Sequence, residues 1–286
     1  MPTLRRFATL VMSAACLVFV GADTPAPAVP DFAKRLPEFK SGEPVFAFNG
    51  KDLDGWYTFL HDEKYEDPNK VFSVQDGMLR ISGQGFGGIT TKQTFKDYHL
   101  VTEWKWGEKT WDVPNPKKEG AFFRRATAAR DAGILVHGVG EDGAYGGHWL
   151  ESIEVQLIEG GVGDFIVVAG KAAPSLTVEA RVDGKQIYFE PGGQPVVKRS
   201  GRINWWGRDP KWTDTLGYRG PRDVESPHGE WNRLEVVCDG DRITTILNGH
   251  VVNAGTKSSH TEGKIQLQTE AAEIFFRKVE VRPLAK

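Results

Sequence analysis

Cysteine is nearly missing from this chain, whose 286 residues include only Cys16 and Cys238. Neither paired CxxC spacings nor an HExxH run occurs, so the sequence predicts no structural zinc site. If Cys16 is removed with an N-terminal signal, Cys238 has no partner and no internal disulfide forms. The fold then depends on core burial, and Cys238, which ends the apolar run 234–237, is predicted to be buried and inert.

An excess of positive charge is also missing. The chain has 36 basic and 38 acidic residues, a formal net charge of −2. Proteins that bind nucleic acids present a basic surface to the phosphate backbone, and this composition offers none. We therefore expect a mildly acidic protein without a nucleic-acid partner. The sequence does not predict its oligomeric state.

No apolar run is long enough to span a membrane. Residues 7–20 form a run of 14, whereas a transmembrane helix needs about 20 residues. Two arginines precede the run, and small residues at 20–22 offer a cleavage site before Asp23. We predict a signal peptide at 1–22, with export to the periplasm, the cell surface or the medium. A lipoprotein anchor at Cys16 is the less favoured alternative, since Ser13 replaces the usual large aliphatic residue.

Helical patterns are scarce, with one short candidate at 122–130. The sequence instead shows many short β patterns separated by glycine and proline, and Asn248-Gly249 is typical of a two-residue hairpin turn. This spacing predicts an all-β fold, a single-domain sandwich of jelly-roll type at 43–286, preceded by a proline-rich leader at 23–42. The long loops 107–130 and 191–230 are where a site is usually built on such a scaffold.

Residues 131–168 concentrate ionisable and aromatic side chains in two predicted strands joined by a glycine-rich loop. Alternate side chains of a strand share a face. Ile153, Val155 and Leu157 are therefore predicted to face the core. Glu154 and Gln156 then lie side by side on the other face, where a sheet can hold a polar ligand. The alternative is an edge strand that exposes a polar face to water.

The glycine-rich loop contains a literal GxGxxG at 138–143. A dinucleotide site needs a helix directly after this motif, and the following residues, AYGGHW, do not start one. We predict instead a tightly turning loop beside a ligand pocket. His148 and Trp149 at its end are candidate substrate-binding residues. Trp205 and Trp206 also fall in a loop, where indole faces can stack on sugar rings; the alternative is that tryptophans close the ends of the sandwich.

The acids of the second strand do not form the pair of an ordinary glycosidase. A retaining enzyme needs two carboxylates about 5 Å apart on one face. Glu151, Glu154 and Glu159 are three and five positions apart, so neighbouring acids lie on opposite faces. Glu103, on another predicted strand, is the candidate for a second carboxylate. The alternative is that Glu103 is a surface charge.

His137 ends the first strand of this stretch, on the same side as Asp131. Such a histidine acts as a general base or a metal ligand, or is a hydrogen-bonded structural residue. Asp131 joins it as a candidate catalytic residue. No cofactor is predicted with certainty, but a divalent cation held by Asp131, His137 and Glu154 stays open as an alternative.

Several segments resemble the signatures of one family, in order along most of the chain. They are FNGKDLDGW at 48–56, DAGIL at 131–135, IEVQLIE at 153–159, GEWNRLE at 229–235 and EIFFRKVEV at 273–281. Together they are similar to the 3-keto-disaccharide hydrolase domain. The resemblance implies a concanavalin-like jelly roll, export, and action on an oxidised carbohydrate substrate.

A 3-keto sugar suits a chemistry that needs no pair of acids. The ketone acidifies the C2 proton, so a base removes it, the glycosidic oxygen leaves, and water adds back. We predict an exported enzyme that cleaves 3-keto-glycosides in this way. Glu154 or His137 is the base, and Gln156, with or without a cation, lies at the ketone oxygen.

Three alternatives stay open. A non-catalytic carbohydrate-binding sandwich would bind sugars through Trp149 or Trp205 and Trp206 without forming a product. An ordinary glycoside hydrolase on unoxidised glycans would need Glu103 near Glu154. The third, less favoured, is an extracellular adhesion domain.

Overall fold

The computed structural model describes residues 28–115 and 120–285. The predicted signal peptide at 1–22, including Cys16, and residues 23–27 of the predicted leader lie outside the described residues. Within the described part, no helix is long and apolar enough to cross a membrane.

Short antiparallel strands make up the described chain, with one 3₁₀ helix, Asp31–Lys34. In chain order the strands are β1 (Phe46–Ala47), β2 (Trp56–Leu60), β3 (Phe72–Gln75), β4 (Met78–Ile81), β5 (Phe86–Thr91), β6 (Phe95–Lys96), β7 (Tyr98–Thr110), β8 (Val113–Pro114), β9 (Phe122–Arg124), β10 (Gly133–Val139), β11 (Glu151–Gln156), β12 (Phe165–Val168), β13 (Leu176–Asp183), β14 (Gln186–Phe189), β15 (Gln194–Lys198), β16 (Gly201–Ile203), β17 (Asn232–Asp239), β18 (Arg242–Leu247), β19 (His250–Gly255), β20 (Glu262–Glu270) and β21 (Ala272–Pro283).

Two eight-stranded sheets stack as a sandwich. The back sheet has the order β19-β18-β17-β7-β21-β4-β3, with β1 paired to β21. The front sheet has the order β16-β12-β11-β10-β20-β5-β2, with β6 paired to β20. A three-stranded sheet, β14-β13-β15, and the pair β8-β9 complete the described strands. The prediction of an all-β sandwich is confirmed.

The core between the two sheets follows from strand alternation. Val136 of β10 and Ile153 and Val155 of β11 point inward from the front sheet and meet back-sheet residues such as Trp104, all of them at most 1% exposed. Burial of this apolar surface is the main driving force for folding. Cys238 is fully buried, as predicted, and is a free thiol.

The described part of the predicted leader, residues 28–42, packs on the sandwich, with the Phe32 ring 6.0 Å from Phe189 and 6.1 Å from Trp206. One local prediction differs from the structure. The short helix predicted at 122–130 is instead strand β9 and a turn, because β9 pairs with β8 and the Ala126 amide donates to Asp112.

Candidate functional site

The candidate site lies on the outer face of the front sheet, where the sequence placed Glu154 and Gln156. In β10 and β11, Leu135 pairs with Glu154 and Gly133 with Gln156. On the other side of β10, Leu135 pairs with Gln266 of β20. Alternation along β20 puts Gln266, Gln268 and Glu270 on this same face. Three strands thus contribute acids and amides to one surface.

A loop covers part of this face. Residues 140–150 fold back over β20, β5 and β2, where the Leu150 amide donates to Gln266 Oε1 at 3.1 Å. The Tyr57 hydroxyl donates to Asp142 of the loop at 2.8 Å. On the same face, Glu154 is 4% exposed and Gln268 is 1% exposed. The polar face is therefore largely shielded from bulk water.

Gly133 lets two of these polar groups approach each other. A methyl group on its Cα would collide with Oε1 of Glu154 and with Oε1 of Gln268. The Gln268 amide lies near enough to the Glu154 carboxyl to lower its pKa. Yet this buried amide makes no well-formed hydrogen bond to any described residue. The Gln268 side chain therefore lies against the Glu154 carboxyl without a hydrogen bond of normal geometry.

Burial and mutual repulsion raise the pKa of the acids on this face. Burial, helped by the charge of Asp131, raises the pKa of Glu154 to about 8. Burial raises the pKa of Asp131 to about 6, against the opposing effects of Arg124 and Arg202. Glu270 is partly exposed, yet desolvation of its carboxyl by the surrounding protein, with Asp131 and Glu154, raises its pKa well above the ordinary value.

Asp131 connects the acids to the residues around them. Its carboxylate accepts a hydrogen bond from the Gln156 side-chain amide and lies 3.5 Å from Arg124. Its backbone pairs with Glu270 of β20. Arg202, across β12, donates to Asp164 at 2.5 Å and also acts on the charges of Asp131 and Glu154. Asp131, Glu154 and Glu270 therefore form one cluster, the carboxyl cluster, next to Gln268.

The structure does not bring His137 to this cluster. His137 lies in a β-bulge between Val136 and Val139 with a φ of 53°, which turns its ring inward. The ring lies 5.7 Å from Tyr98 of the back sheet, and burial lowers the pKa of His137 to about 4. The predicted placement of His137 beside Asp131 and Glu154 is wrong, because the bulge breaks the alternation on which it depended.

The bulge also separates the three residues that were predicted, as an alternative, to hold a divalent cation. His137 lies on the core side of β10, whereas Asp131 and Glu154 lie on the outer side. In residues 28–115 and 120–285, no three His, Cys, Asp or Glu side chains are grouped so that they could hold a metal ion.

Glu103 lies on the opposite side of the molecule. Its neighbours in β7, Thr102 and Trp104, are fully buried, so Glu103 points outward from the back sheet. It forms ion pairs with Arg277 at 2.6 Å and Arg233 at 3.4 Å. The prediction that it approaches Glu154 is wrong, and the alternative of a surface charge is confirmed.

Trp205 and Trp206 do not form a platform for sugars. They are 1% and 6% exposed and belong to the core. The cause is Asp164, which accepts a hydrogen bond from the Trp205 amide at 2.7 Å and holds this segment against the sandwich. Trp149 is half-buried, donates to the Gly87 carbonyl at 3.0 Å and stacks on Tyr145.

A cleft of about 450 Å³ opens beside the carboxyl cluster. Among its lining residues are His61, Gln84, Phe86, Trp111, Phe123 and His148. The acids of the cluster are not among its lining residues, but Phe86 of β5 lines the cleft and pairs directly with Glu270 of β20. His148, predicted to bind substrate, lines this cleft, and its role stays a prediction.

Four residues at or beside the cluster were not predicted from the sequence: Gln268, Glu270, Arg124 and Arg202. The alternation Gln266-x-Gln268-x-Glu270 was a signal for the first two, since it places three polar side chains on one face of a strand. Arg202 carried no such signal, because its approach depends on the pairing of β12 with β16.

Residues 43–282 match the 3-keto-disaccharide hydrolase family, described as the 3-keto-alpha-glucoside-1,2-lyase-like domain. The chain belongs to this family. The resemblance inferred from the sequence signatures is thereby confirmed, and family membership supports a carbohydrate-active enzyme. None of the curated proteins is similar enough in sequence to match the chain.

Solved structures show weaker likenesses. A proposed glycosyl hydrolase from Parabacteroides distasonis ATCC 8503 has 20% identity and a TM-score of 0.45, with 83% of this chain and 92% of that chain covered. The carbohydrate-binding module CBM66 from Bacillus subtilis has 13% identity and a TM-score of 0.44, covering 80% and 95%. The Bacillus licheniformis β-glucanase has 10% identity and a TM-score of 0.42, covering 82% and 96%. The family assignment rests on the sequence match.

Proposed function

We propose that the protein is an exported enzyme that cleaves 3-keto-glycosides by elimination at the C1–C2 bond. The observation that carries this proposal is the carboxyl cluster, where acids with raised pKa values adjoin an amide that makes no well-formed hydrogen bond to a described residue. Membership of a family described as 3-keto-alpha-glucoside-1,2-lyase-like supports the substrate class.

Glu154 is the base in this proposal. In its ionised form it removes the C2 proton, and the electrons of the C–H bond pass into an enolate at the C3 oxygen. A carboxylate with a pKa of about 8 is a stronger base than an ordinary one, because its conjugate acid holds the proton more tightly. The raised pKa therefore fits abstraction of a weakly acidic carbon-bound proton.

The enolate oxygen needs a hydrogen-bond donor. The Gln268 amide is buried, has no well-formed partner among the described residues, and lies beside Glu154. A preorganised donor at a site of developing charge stabilises the transition state. Gln268 thus takes the role that the sequence analysis gave to Gln156, whose amide is already bonded to Asp131.

Glu270 supplies the proton for the leaving group. Burial and the charges of Asp131 and Glu154 raise its pKa well above the ordinary value, which favours the protonated form that can donate. The enolate electrons form the C1–C2 double bond, the C1–O bond breaks, and the departing oxygen takes the Glu270 proton. The products are the free alcohol and an unsaturated 3-keto sugar, to which water then adds if the overall reaction is hydrolysis.

The test is to incubate the protein with a 3-keto-disaccharide and with the same disaccharide unoxidised, and to follow the released sugar. We expect release from the oxidised substrate alone, because only its ketone acidifies the C2 proton. Cleavage of the unoxidised disaccharide at a similar rate would contradict the proposal. Saturable binding of both sugars without product would favour a carbohydrate-binding module.

A further inference from the structure

The cleft beside Glu270 has no role in the chemistry proposed above. Glu270 and Phe86 form a direct cross-strand pair between β20 and β5. Side chains in such a pair lie about 5 Å apart at Cβ and share a face of the sheet. The cleft is therefore the next space along the front sheet after the group that protonates the leaving oxygen.

We propose that this cleft is the subsite for the leaving group of the glycoside. The group that it fits is a ring with an apolar face and hydroxyl groups on its edge, either a second pyranose or a phenolic ring. This inference rests on the proposed function, because the leaving oxygen must lie at Glu270. The inference assigns a binding site to the part of the substrate that leaves when the glycosidic bond is cleaved.

The walls of the cleft match the apolar face of such a ring. Phe123, from the loop 107–130, is 45% exposed although it is a large apolar side chain. Its ring lies 6.0 Å from Phe86, so the two form one aromatic surface. Trp111 lines the same cleft and is held in place by a 2.8 Å hydrogen bond from its indole Nε1 to the Ser82 carbonyl.

Polar groups line the rest of the cleft. His148 lies 4.4 Å from His61, measured between ring centroids, and 5.1 Å from Phe86. Burial and the neighbouring His61 lower the pKa of His148 to about 4, so its ring is neutral near pH 7 and can both donate and accept. Asn69 and Gln84 add neutral amide groups. Hydroxyl groups on the edge of a ring would find partners here.

The size of the cleft also fits this occupant. Its volume of about 450 Å³ lies within the range of roughly 300–1,000 Å³ that is typical of small-molecule sites. Such sites combine aromatic walls with a few polar groups that fix orientation. A two-ring substrate would then place its 3-keto ring at the carboxyl cluster and its leaving ring in the cleft, with the scissile bond at Glu270.

The experiment compares three substrates that share the 3-keto-glucoside ring and differ in the leaving group: methanol, glucose and a phenol. Phe123→Ala removes the exposed aromatic wall and touches no member of the carboxyl cluster. We expect kcat/KM for the two ring-bearing substrates to fall by roughly three- to tenfold, as for the loss of an aromatic contact. The methyl glycoside should be cleaved as by the unmodified protein. Leu36→Ala, another exposed apolar side chain that does not line the cleft, is the control.

The outcomes separate this inference from the proposed function. A larger loss for the glucosyl or for the phenyl substrate identifies which ring the cleft takes. If Phe123→Ala leaves kcat/KM unchanged for each of the three substrates, the subsite is overturned and the proposed function stands. Failure of the unmodified protein to cleave any of the three overturns the proposed function, and the subsite with it. Tryptophan fluorescence during titration with the free phenol gives a second readout, in which Phe123→Ala should weaken binding.

Discussion

The two outer faces of the sandwich hold the same type of residue in opposite electrostatic states. On the back sheet, burial alone would raise the pKa of Glu235, but hydrogen bonds from His99 and Arg233 outweigh it and lower the pKa to about 2. On the front sheet, burial and the neighbouring charge of Asp131 outweigh the effects of Arg202 and Gln268, and the pKa of Glu154 rises to about 8. The difference shows that burial raises the pKa of a glutamate unless hydrogen-bonded cations offset it, and the raised pKa suits Glu154 to proton transfer.

Removing a carboxylate from the front sheet should therefore affect activity far more than removing one from the back sheet. Glu154→Gln is expected to lower kcat on a 3-keto-glycoside by at least about 100-fold, because the base is lost while the shape of the side chain is kept. Glu103→Gln, the matched change on the back sheet, should leave kcat unchanged. Steady-state kinetics with both variants tests the comparison, and full activity of Glu154→Gln would remove this residue from the mechanism.

Adding a methyl group at Gly133 on the front sheet should cause the next largest loss of kcat. Gly133→Ala places a methyl group where Oε1 of Glu154 and Oε1 of Gln268 lie. Displacing a reacting group by about 1 Å can cost about 100-fold in rate, so we expect kcat to fall by roughly 10- to 100-fold. The melting temperature, recorded alongside, shows whether the fold is kept. An unchanged kcat in a folded variant would mean that the two groups need no such approach.

The pH dependence should reveal the raised pKa directly. Because Glu154 acts in its ionised form, kcat/KM should rise with pH and level off above about pH 8. The charge of Asp131 contributes to this pKa, so Asp131→Asn should move the midpoint to lower pH. The check is a pH–rate profile of both proteins. A flat profile through neutral pH would assign the base to a group with an ordinary carboxyl pKa.

The contribution of Glu154 to stability should change with pH in the opposite direction to its contribution to activity. The folded protein holds the Glu154 proton up to about pH 8, whereas the ordinary value is 4.5, so the unfolded chain releases it first as pH rises. The contribution of Glu154 to stability is therefore complete below about pH 4.5 and declines up to about pH 8. Glu154→Gln cannot ionise, so its stability relative to the unmodified protein should increase across this window in urea titrations. A constant difference would contradict the raised pKa.

The smallest effect is expected at Glu235 on the back sheet, whose contribution to stability should change with pH in the opposite direction to that of Glu154. Glu235 has a lowered pKa, so its stabilising contribution is present above the ordinary value of 4.5 and is lost as pH falls to about 2. Glu235→Gln should destabilise the protein at neutral pH and match it in strong acid. Urea titrations over this range test it; a deficit that persists at the lowest pH would indicate a packing defect instead.

Much of this contrast follows from local sequence patterns. The alternation of β11 correctly placed Ile153 and Val155 in the core and Glu154 beside Gln156, because period-two patterning needs no knowledge of distant partners. The short strands and turn residues likewise predicted the sandwich. The predictions that were wrong concerned residues whose positions depend on irregular backbone or on contacts between segments far apart in the sequence.

Three residues illustrate what the sequence alone could not predict. His137 left its expected face because of a bulge, which alternation does not reveal. Glu270 joined Asp131 only because β20 pairs with β10, and these strands lie more than 100 positions apart in the chain. Trp205 was assigned to a ligand surface because the hydrogen bond from its amide to Asp164 could not be foreseen.

The most direct test of Glu154 as a base follows the C2 proton itself. A 3-keto-glycoside carrying deuterium at C2 is cleaved in ordinary water, and the early product is examined by mass spectrometry against a blank for uncatalysed exchange. The account predicts that every cleaved molecule loses its deuterium and that Glu154→Gln stops label loss and cleavage together. Cleavage that leaves the deuterium at C2 would contradict it.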